Sequence, residues 1–314
     1  ALNGQRRRGG MRWWVLVLFA GYLGYYWLSH RQDAAFTGRT QMVDTTMDQE
    51  VALGLQGFRQ ILAEAQVVRE GEAVNEVREV ARRLIEAGPK LEQHLATTRG
   101  VSAVTPWNQF EWEVAVIESE QANAFCLPGG KMAVYTGILP IAQNDDALAA
   151  IMGHEIAHAV LRHGAERMAQ QKLVQIGAVA ADLHQLLLRH AFGATEAGAD
   201  RCGRGRHVDQ RHGPRQRQLL MAAIGVGTQY GLMLPFSRNH ESEADYVGLM
   251  LASAACFDPA ESIGLWRRMG ANSAGKAPPE FMSTHPSSDT RIQQLQGWMD
   301  EANQIRAQFC GNRR

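Results

Sequence analysis

Two histidines and a glutamate near the middle of the chain have the residue types and the spacing of a hydrolytic metal site. His154, Glu155 and His158 form an HExxH motif within an apolar run from Ala147 to Leu161, which predicts a helix. Residues four apart lie one above the other on a helix, so the two imidazoles share a face and can bind one metal ion. Zinc in a hydrolase takes three protein ligands and a water, which Glu155 would deprotonate. A chance match is the alternative, and the rest of the sequence has to decide.

The third metal ligand has to come from another part of the sequence. A metzincin would place a third histidine at position 164, but that residue is Gly164, so the spacing excludes that class. His163 lies five residues after His158 and is predicted to point away from the ligand face. Glu166 lies near the predicted end of the helix, so neither residue is an attractive ligand.

A carboxylate further along the chain is the better candidate. In the segment SRNHESEAD, residues 237–245, a helical start puts Glu241 and Asp245 on one face. Glu241 would bind the zinc, while Asp245, one turn later, would accept a proton from the other ring nitrogen of a liganding histidine. The alternative is a solvated acidic turn, because Glu243 is acidic too.

The elements that must position these residues are predicted to be mostly helical. Asn144 and the two aspartates after it cap the motif helix, which we expect to end near Gly164. Two apolar stretches, Leu173–Leu188 and Leu219–Pro235, contain polar residues or glycines, which favours core helices over membrane spans. The other predicted helices are an amphipathic helix after Thr45 and Thr46, a helix over Val74–Ala87 ended by Gly88-Pro89, and a short helix over Leu91–Thr97.

Between residues 107 and 137 the spacing of apolar residues changes to a period of about two, which predicts a small antiparallel sheet. Two of its strands flank a turn at Pro128-Gly129-Gly130. An exposed edge strand beginning with Asn123, Ala124 and Phe125 would bind an extended substrate through backbone hydrogen bonds and hold it across the metal. A purely structural sheet is the alternative.

The N-terminal region predicts a membrane anchor. Residues 13–29 (WWVLVLFAGYLGYYWLS) carry no charge, and the aromatic residues at both ends resemble the belts of a transmembrane helix, although the run is short. Arginines in the basic segment 1–12 would keep the N-terminus in the cytoplasm and send the chain after His30 across the membrane. A cleaved signal peptide is the alternative, but no A-x-A-like site follows the run. We interpret residues 30–43 as a linker and residues 44–310 as the catalytic domain.

Composition excludes some classes of partner. The 32 basic and 32 acidic residues give a formal net charge of zero, so the sequence indicates no nucleic-acid partner. The four cysteines, Cys126, Cys202, Cys256 and Cys310, form no CxxC pair, so they indicate neither a cysteine zinc site nor a dithiol redox motif. Their disulfide pairing stays open.

The motifs taken together resemble a known protease family. HExxH followed at a distance by SRxxExxAD is similar to the membrane-associated gluzincin family that contains the CAAX prenyl protease and HtpX. The resemblance is closest to the branch of the mitochondrial inner-membrane stress protease and the bacterial periplasmic quality-control proteases. Three further segments match that branch: Thr37-Gly38-Arg39, Asn123–Gly130, and Thr284-His285-Pro286 with Arg291.

This resemblance implies roles for three residues. Glu241 would be the third zinc ligand and Asp245 would support a liganding histidine. His285 would lie near the metal, where it would stabilise an oxyanion or occupy the open coordination position. A lone surface histidine before a proline is the alternative for His285.

We therefore predict an α+β, mostly helical, zincin-like endopeptidase with one zinc ion per chain and a single N-terminal transmembrane helix. The catalytic domain would lie outside the cytoplasm, on the periplasmic face of a bacterial inner membrane, and would act on misfolded or membrane-associated polypeptides. A zinc-stabilised chaperone or assembly factor is a rival function, although Glu155 would then have no purpose. A multi-span protease with lipidated substrates is a second rival. The substrate, the trigger of activity and the oligomeric state, a homo-oligomer included, stay open.

Residues 184–214 depart from the family that the rest of the chain resembles. They are crowded with Arg, His and Gly, contain Cys202, and lose apolar periodicity after Phe192. One interpretation is a basic flexible loop near the active site, and the other is a stretch translated out of frame between two compensating errors. Under both, we expect this segment to be poorly ordered.

Overall fold

The structure is a computed structural model that describes residues 13–101, 107–192, 237–272, 281–282, 285 and 289–311. Most of these residues are helical, and the described strands form two small sheets. The helices are α1 Trp13–Ser29, α2 Met47–Glu64, α3 Glu72–Arg99, α4 Leu139–Ala142, α5 Asp145–Val160, α6 His163–Phe192, α7 Arg238–Ala254, α8 Ala260–Asn272 and α9 Asp289–Cys310. The strands are β1 Arg31–Asp33, β2 Thr40–Met42, β3 Val67–Val68, β4 Glu113–Ile117, β5 Ala124–Leu127 and β6 Lys131–Tyr135.

Helix α5 carries the HExxH motif and lies at the centre of the core. Asn144 caps its first turn, because the side-chain oxygen accepts a hydrogen bond from the backbone N–H of Ala147 at 2.8 Å. Every residue from Ala147 to Val160 except Ala150 is buried. A helix that is buried all round needs packing partners on every side. Here α3, α7, α8 and β5 supply them.

The crossing of α5 and α7 depends on two glycines. A Cβ atom on Gly153 would lie 2.9 Å from the carbonyl oxygen of Gly248, and one on Gly248 would lie 2.7 Å from the backbone nitrogen of His154. Both distances are shorter than real Cβ contacts, so only glycine lets the two backbones approach this closely. This approach brings the first turn of α7 within reach of the histidines on α5.

The sheet that contains β3 to β6 is mixed, so the prediction of an antiparallel sheet was wrong for one pair. The strand order is β3-β4-β6-β5, and β4 pairs with β6 in parallel, whereas the other two pairs are antiparallel. The turn at residues 128–130 closes the β5–β6 hairpin as predicted. β6 lies between β4 and β5, and it runs antiparallel to β5 and in the same direction as β4. A period of two indicates which side chains share a face but not which strands are neighbours.

Helix α3 continues through Gly88 and Pro89, so the prediction that a helix ends there was wrong. Proline removes one backbone hydrogen bond, but Leu91 and Leu95 after it are buried at 0% and 2% exposure. Full burial of a leucine side chain contributes about 1.5–3 kcal/mol, which offsets the lost bond. Gly88 has a packing role instead, because a Cβ atom there would overlap the ring of Trp107.

The residues around the predicted anchor form regular structure. Residues 13–29 are helical, but no helix in the described part of the chain is long and apolar enough to cross a bilayer. Residues 30–43, which we expected to be a linker, contain the β1–β2 hairpin. This hairpin positions Arg39, which has a part in the site described below.

Three other predicted segments lie within α6 or after it, and the structure describes only part of them. The stretch Leu173–Leu188 lies within α6, where Val174 is 73% exposed, so the start of the stretch is not a fully buried core helix. Residues 184–192 continue this helix, which contradicts the expectation of disorder for them. Residues 193–214 and the stretch Leu219–Pro235 lie outside the described residues.

Candidate metal centre

Four buried side chains from three parts of the chain converge on one point. His154 and His158 come from α5, Glu241 from the first turn of α7, and His285 from the segment before α9. One ligand atom from each of these residues lies within 4.8 Å of those of the other three. Ser237 caps α7 by accepting a hydrogen bond from the backbone N–H of His240, which places Glu241 on the turn that faces α5.

The donor atoms of the predicted ligands fit a tetrahedral zinc ion. The Nε2 atoms of His154 and His158 are 3.1 Å apart, and each lies 3.5 Å from an oxygen of Glu241. Zinc–nitrogen bonds of 2.0–2.1 Å at tetrahedral angles place two ligand atoms about 3.3 Å apart. Nδ1 of His285 lies 3.2 Å from Nε2 of His154 and 2.9 Å from Glu241, which is where a fourth tetrahedral donor would lie.

His154 is held from behind by an ion pair. Its Nδ1 atom lies 3.0 Å from a carboxylate oxygen of Asp245, so the ring can donate there while Nε2 faces the other ligands. Arg291 also binds Asp245, at 2.6 Å, and contacts Glu241 at 3.1 Å. The guanidinium of Arg291 stacks over the ring of Trp266 at 3.6 Å, which fixes its plane.

His158 has a different support. Its Nδ1 atom lies 3.0 Å from Nδ1 of His163, whose Nε2 atom lies 3.1 Å from the carboxylate of Glu243. His163 is therefore not one of the four donors, as predicted, but its ring faces the back of His158. It reaches this position because α5 ends before Arg162, whose φ of 61° redirects the chain into α6.

Burial and charge set the protonation of the site. Burial raises the pKa of Glu155 to about 7, which suits a group that takes and returns a proton near neutral pH. Burial also lowers the pKa of His158 well below its ordinary value, so this imidazole is neutral and able to bind a metal. Although burial opposes it, the neighbouring imidazoles of His285, His154 and His158 hold the pKa of Glu241 far below its usual range. Glu241 is thus an ionised carboxylate.

Glu155 lies next to the four donors without being one of them. One of its carboxylate oxygens is 3.4 Å from Nε2 of His285. Its side chain is 5% exposed and lies beside Cys126 of β5, the end strand of the described sheet. The carboxylate therefore lies between the donor cluster and the sheet.

The predicted substrate strand lies at that edge of the sheet, but its residues Asn123, Ala124 and Phe125 are buried rather than exposed as predicted. Asn123 precedes β5, and its side-chain oxygen accepts a hydrogen bond from the backbone N–H of Ala124. Ala124 belongs to the main core with α5, whereas Phe125 points to the other side and packs on Tyr135. The side chain of Phe125 is thus directed away from the donor cluster.

The structure brings together His154, Glu155, His158, Glu241, Asp245 and His285, and leaves Phe125 outside the cluster. His285 is 3% exposed, which excludes the alternative of a lone surface histidine. Thr284 and Pro286, its neighbours in the motif, lie outside the described residues. Residue spacing predicted no role for Arg291 and set His163 aside. The signal that could have found them is a buried charge or imidazole that needs a partner.

A helix with HExxH and a second helix that contributes a carboxylate define the zincin-like class of metallopeptidases. Comparison with known proteins narrows this class. Residues 89–299 match peptidase family M48. The mitochondrial metalloendopeptidase OMA1 of Schizosaccharomyces pombe is 34% identical over 293 residues, which cover 93% of this chain and 73% of the relative.

Two further relatives agree with this match. The mitochondrial metalloendopeptidase OMA1 of Saccharomyces cerevisiae is 29% identical over 307 residues, 94% of this chain and 76% of the relative. The beta-barrel assembly-enhancing protease of Escherichia coli K12 is 29% identical over 213 residues, 65% of this chain and 36% of the relative. The chain belongs to peptidase family M48. It is a metalloendopeptidase, and its cofactor is zinc.

Proposed function

We propose that this protein cleaves misfolded or membrane-associated polypeptides as part of protein quality control. The observation that carries the proposal is the tetrahedral spacing of the three predicted ligands beside the buried Glu155, whose pKa is about 7. Two kinds of relative support the substrate class, since one is a mitochondrial metalloendopeptidase and another a beta-barrel assembly-enhancing protease.

In the proposed mechanism His154, His158 and Glu241 hold the zinc. Bound zinc would polarise the scissile carbonyl and lower the pKa of a water. Glu155 takes the proton from the attacking water and passes it to the leaving amine. Asp245 keeps the proton of His154 on Nδ1, so that Nε2 stays free to bind.

His285 has two candidate roles. Its buried ring can donate a hydrogen bond to the oxyanion of the tetrahedral intermediate, or its Nδ1 atom can fill the fourth coordination position. A His285→Ala variant distinguishes them. Lower kcat at unchanged zinc affinity indicates the oxyanion role, whereas weaker zinc binding indicates a ligand.

The substrate is proposed to bind as an added strand at the edge of β5, beginning with Asn123, Ala124 and Phe125. β5 pairs only with β6 among the described strands, and it borders the same helix that carries Glu155. Peptide substrates with N-methyl groups at alternate positions test this binding mode. Methylation at the positions that donate to β5 should raise KM, and methylation one residue later should not.

We further propose that α1 anchors a catalytic domain of residues 44–310 outside the cytoplasm. Its large apolar side chains face outwards, with Leu18 at 64% and Tyr25 at 70% exposure. Cys256 and Cys310 form a disulfide, which favours an oxidising compartment such as the periplasm. A reporter that is active only outside the cytoplasm, fused after Arg314, should be active. Loss of the chain from membranes washed with alkaline carbonate would indicate a cleaved signal peptide instead.

The enzymatic proposal is tested with purified protein and an unfolded β-barrel protein, with and without a zinc chelator. Glu155→Gln should abolish cleavage but keep zinc, because Glu155 is not a ligand, whereas Glu241→Ala should lose most of the metal. Zinc content is measured by atomic absorption. Equal zinc in the wild type and Glu241→Ala would remove Glu241 from the ligand set. Undiminished cleavage by Glu155→Gln would remove Glu155 from catalysis.

A zinc-stabilised chaperone or assembly factor is the second candidate function. It predicts that Glu155→Gln still prevents aggregation of the β-barrel protein and still restores function in cells. A variant that binds zinc but restores nothing favours proteolysis.

A further inference from the structure

The two motif histidines are supported in different ways at their Nδ1 atoms: that of His154 contacts a carboxylate, whereas that of His158 contacts another imidazole. His154 donates to Asp245, but the Nδ1 atom of His158 faces another imidazole, that of His163. Two imidazoles can share one hydrogen bond only if one donates and the other accepts. The tautomer of His163 therefore decides which nitrogen of His158 carries its proton.

The tautomer required for metal binding can be traced along this chain of contacts. For Nε2 of His158 to bind zinc it must carry no proton, so the proton is on Nδ1, which donates to Nδ1 of His163. His163 must then be protonated on Nε2, and that atom lies 3.1 Å from Glu243. A carboxylate accepts hydrogen bonds but cannot donate them, so Glu243 selects this tautomer.

Glu243 is itself fixed in position. Nε of Arg39 binds its carboxylate at 2.6 Å, and the hydroxyl of Thr37 donates to its other oxygen. Both residues belong to the β1–β2 connection, about 200 residues away in sequence. Arg39 also holds Glu166, which receives a hydrogen bond from His240, and the ring of His240 stacks on His163 at 4.5 Å. The ring of His163 thus has little freedom to turn.

We propose that His163 is a positioning residue for zinc: its Nδ1 atom accepts the Nδ1 proton of His158 and so sets the tautomer and the ring plane of that ligand, while Glu243 keeps His163 in the accepting tautomer. The inference rests on the zinc site proposed above. It assigns a purpose to the turn at Arg162 between α5 and α6, since a continuous helix would direct residue 163 away from residue 158. It also connects the N-terminal hairpin to a zinc ligand through Arg39.

Two substitutions of His163 separate this role from a structural one. His163→Asn keeps an oxygen acceptor at the place of Nδ1 but does not reach Glu243. His163→Gln keeps an amide donor at the place of Nε2 but offers no acceptor beside His158. We expect His163→Gln to weaken zinc binding about 10- to 100-fold, the usual effect of losing a hydrogen-bond partner of a liganding histidine, and His163→Asn to weaken it less.

The measurements are the zinc dissociation constant, by competition with a chromogenic chelator, and the visible spectrum of the cobalt-substituted protein. The spectrum of His163→Gln should differ from that of the wild type, and His163→Asn should resemble the wild type. Equal zinc affinities of the two variants, or weaker binding by Asn than by Gln, would overturn the proposal. The thermal midpoint of the metal-free proteins shows whether each variant folds.

A second pair of variants serves if His163→Gln does not fold. Glu243→Gln offers the ring of His163 an amide that accepts or donates, so it no longer selects a tautomer, and zinc affinity should fall. Asp44→Asn is the matched control, because the side chain of Asp44 is as buried as that of Glu243 and is also bound to a basic residue, Lys172, but Asp44 has no part in the contacts that hold His163. Equal zinc affinity of both variants contradicts the proposal. If the wild type itself binds no zinc, the proposed function fails, whereas wild-type binding with unaffected variants refutes this inference alone.

Discussion

Helices α5 and α1 are similar in length and in their abundance of apolar residues but differ in their surroundings. They have 16 and 17 residues, and both are rich in apolar side chains. Almost every residue of α5 is buried by protein, whereas α1 exposes Trp14, Leu18 and Leu28 by half or more. The C-terminal end of α1 contacts the rest of the described protein through Tyr26, which packs on Met42 and hydrogen-bonds to Asp44.

This difference shows what apolar composition does and does not determine. An apolar helix has to leave water, but the sequence of the helix alone does not say whether protein or lipid covers it. The polar residues distinguish the two helices. α5 places His154, Glu155 and His158 in a buried environment, where each needs a partner. Helix α7, helix α6 and the segment that contains His285 supply these partners. The described α1 contains no charged residue that would require one.

The largest expected loss of stability in the core around α5 comes from removing the disulfide that joins the end of α7 to the end of α9. Cys310→Ser removes a cross-link with a sequence separation of 54, which should lower the free energy of unfolding by about 4 kcal/mol. Urea unfolding followed by tryptophan fluorescence measures this. A reductant should bring the wild type to the value of the variant and leave the variant unchanged. An unchanged wild type under reductant would show that the disulfide does not form.

The next effect should come from the crossing of α5 and α7. Gly248→Ala puts a methyl group against the backbone of His154, so we expect a loss of about 3 kcal/mol and weaker zinc binding, because Glu241 is displaced from the histidines. Gly270→Ala is the control, since no atom lies within 4 Å of the position that its added methyl group would take, and alanine favours a helix by about 0.5–1 kcal/mol. Equal stability of the two variants would argue against the close crossing.

The ligand cluster could be predicted because its parts are local. His154 and His158 are one turn apart on one helix, as are Glu241 and Asp245 on another, so residue spacing alone orients each pair. The contact between His158 and His163 could not be predicted in this way. It depends on the positive φ of Arg162, and the partner Glu243 is held by Arg39 from the far end of the chain.

The fold was predictable to a similar extent and for similar reasons. Periodicity and capping identified the helix of Asn144 and the strands on either side of residues 128–130. The parallel pairing of β4 with β6 is a long-range feature that alternation does not contain. The passage of α3 through Pro89 is decided by the burial of Leu91 and Leu95, which a local rule for proline ignores.

Glu166 lies between the core around α5 and the hairpin that follows α1, because it joins α6 to Arg39 of that hairpin. Although burial opposes it, hydrogen bonds from His240 and Arg39 lower the pKa of Glu166 to about 2. A carboxyl group with a lowered pKa in the folded state contributes stability above its unfolded pKa of about 4.3, and this contribution is lost as the pH falls towards 2.

Glu166→Gln should therefore lower the free energy of unfolding at pH 7 by about 2 kcal/mol, the usual size of a hydrogen bond to a charged group. The difference from the wild type should shrink between about pH 4 and pH 2. Urea titrations at a series of pH values measure it. A difference that stays constant down to pH 2 would mean that the ionised carboxylate is not the source of the stability.

The smallest effect on stability should come from the exposed face of α1. Leu18→Asp alters a side chain that is 64% exposed, so we expect the free energy of unfolding to change by no more than about 0.5 kcal/mol. Its effect on membrane attachment should be large, because an aspartate near the centre of a membrane helix costs about 2.5–3.5 kcal/mol on insertion. The fraction of protein that resists alkaline carbonate extraction should fall.

Tyr26→Phe is the control at the docked end of α1. It loses the hydrogen bond to Asp44, so it should lower the free energy of unfolding by about 1 kcal/mol and leave membrane attachment unchanged. If Leu18→Asp destabilised the protein and left it in the membrane, α1 would be packed like α5, and the contrast between the two helices would disappear.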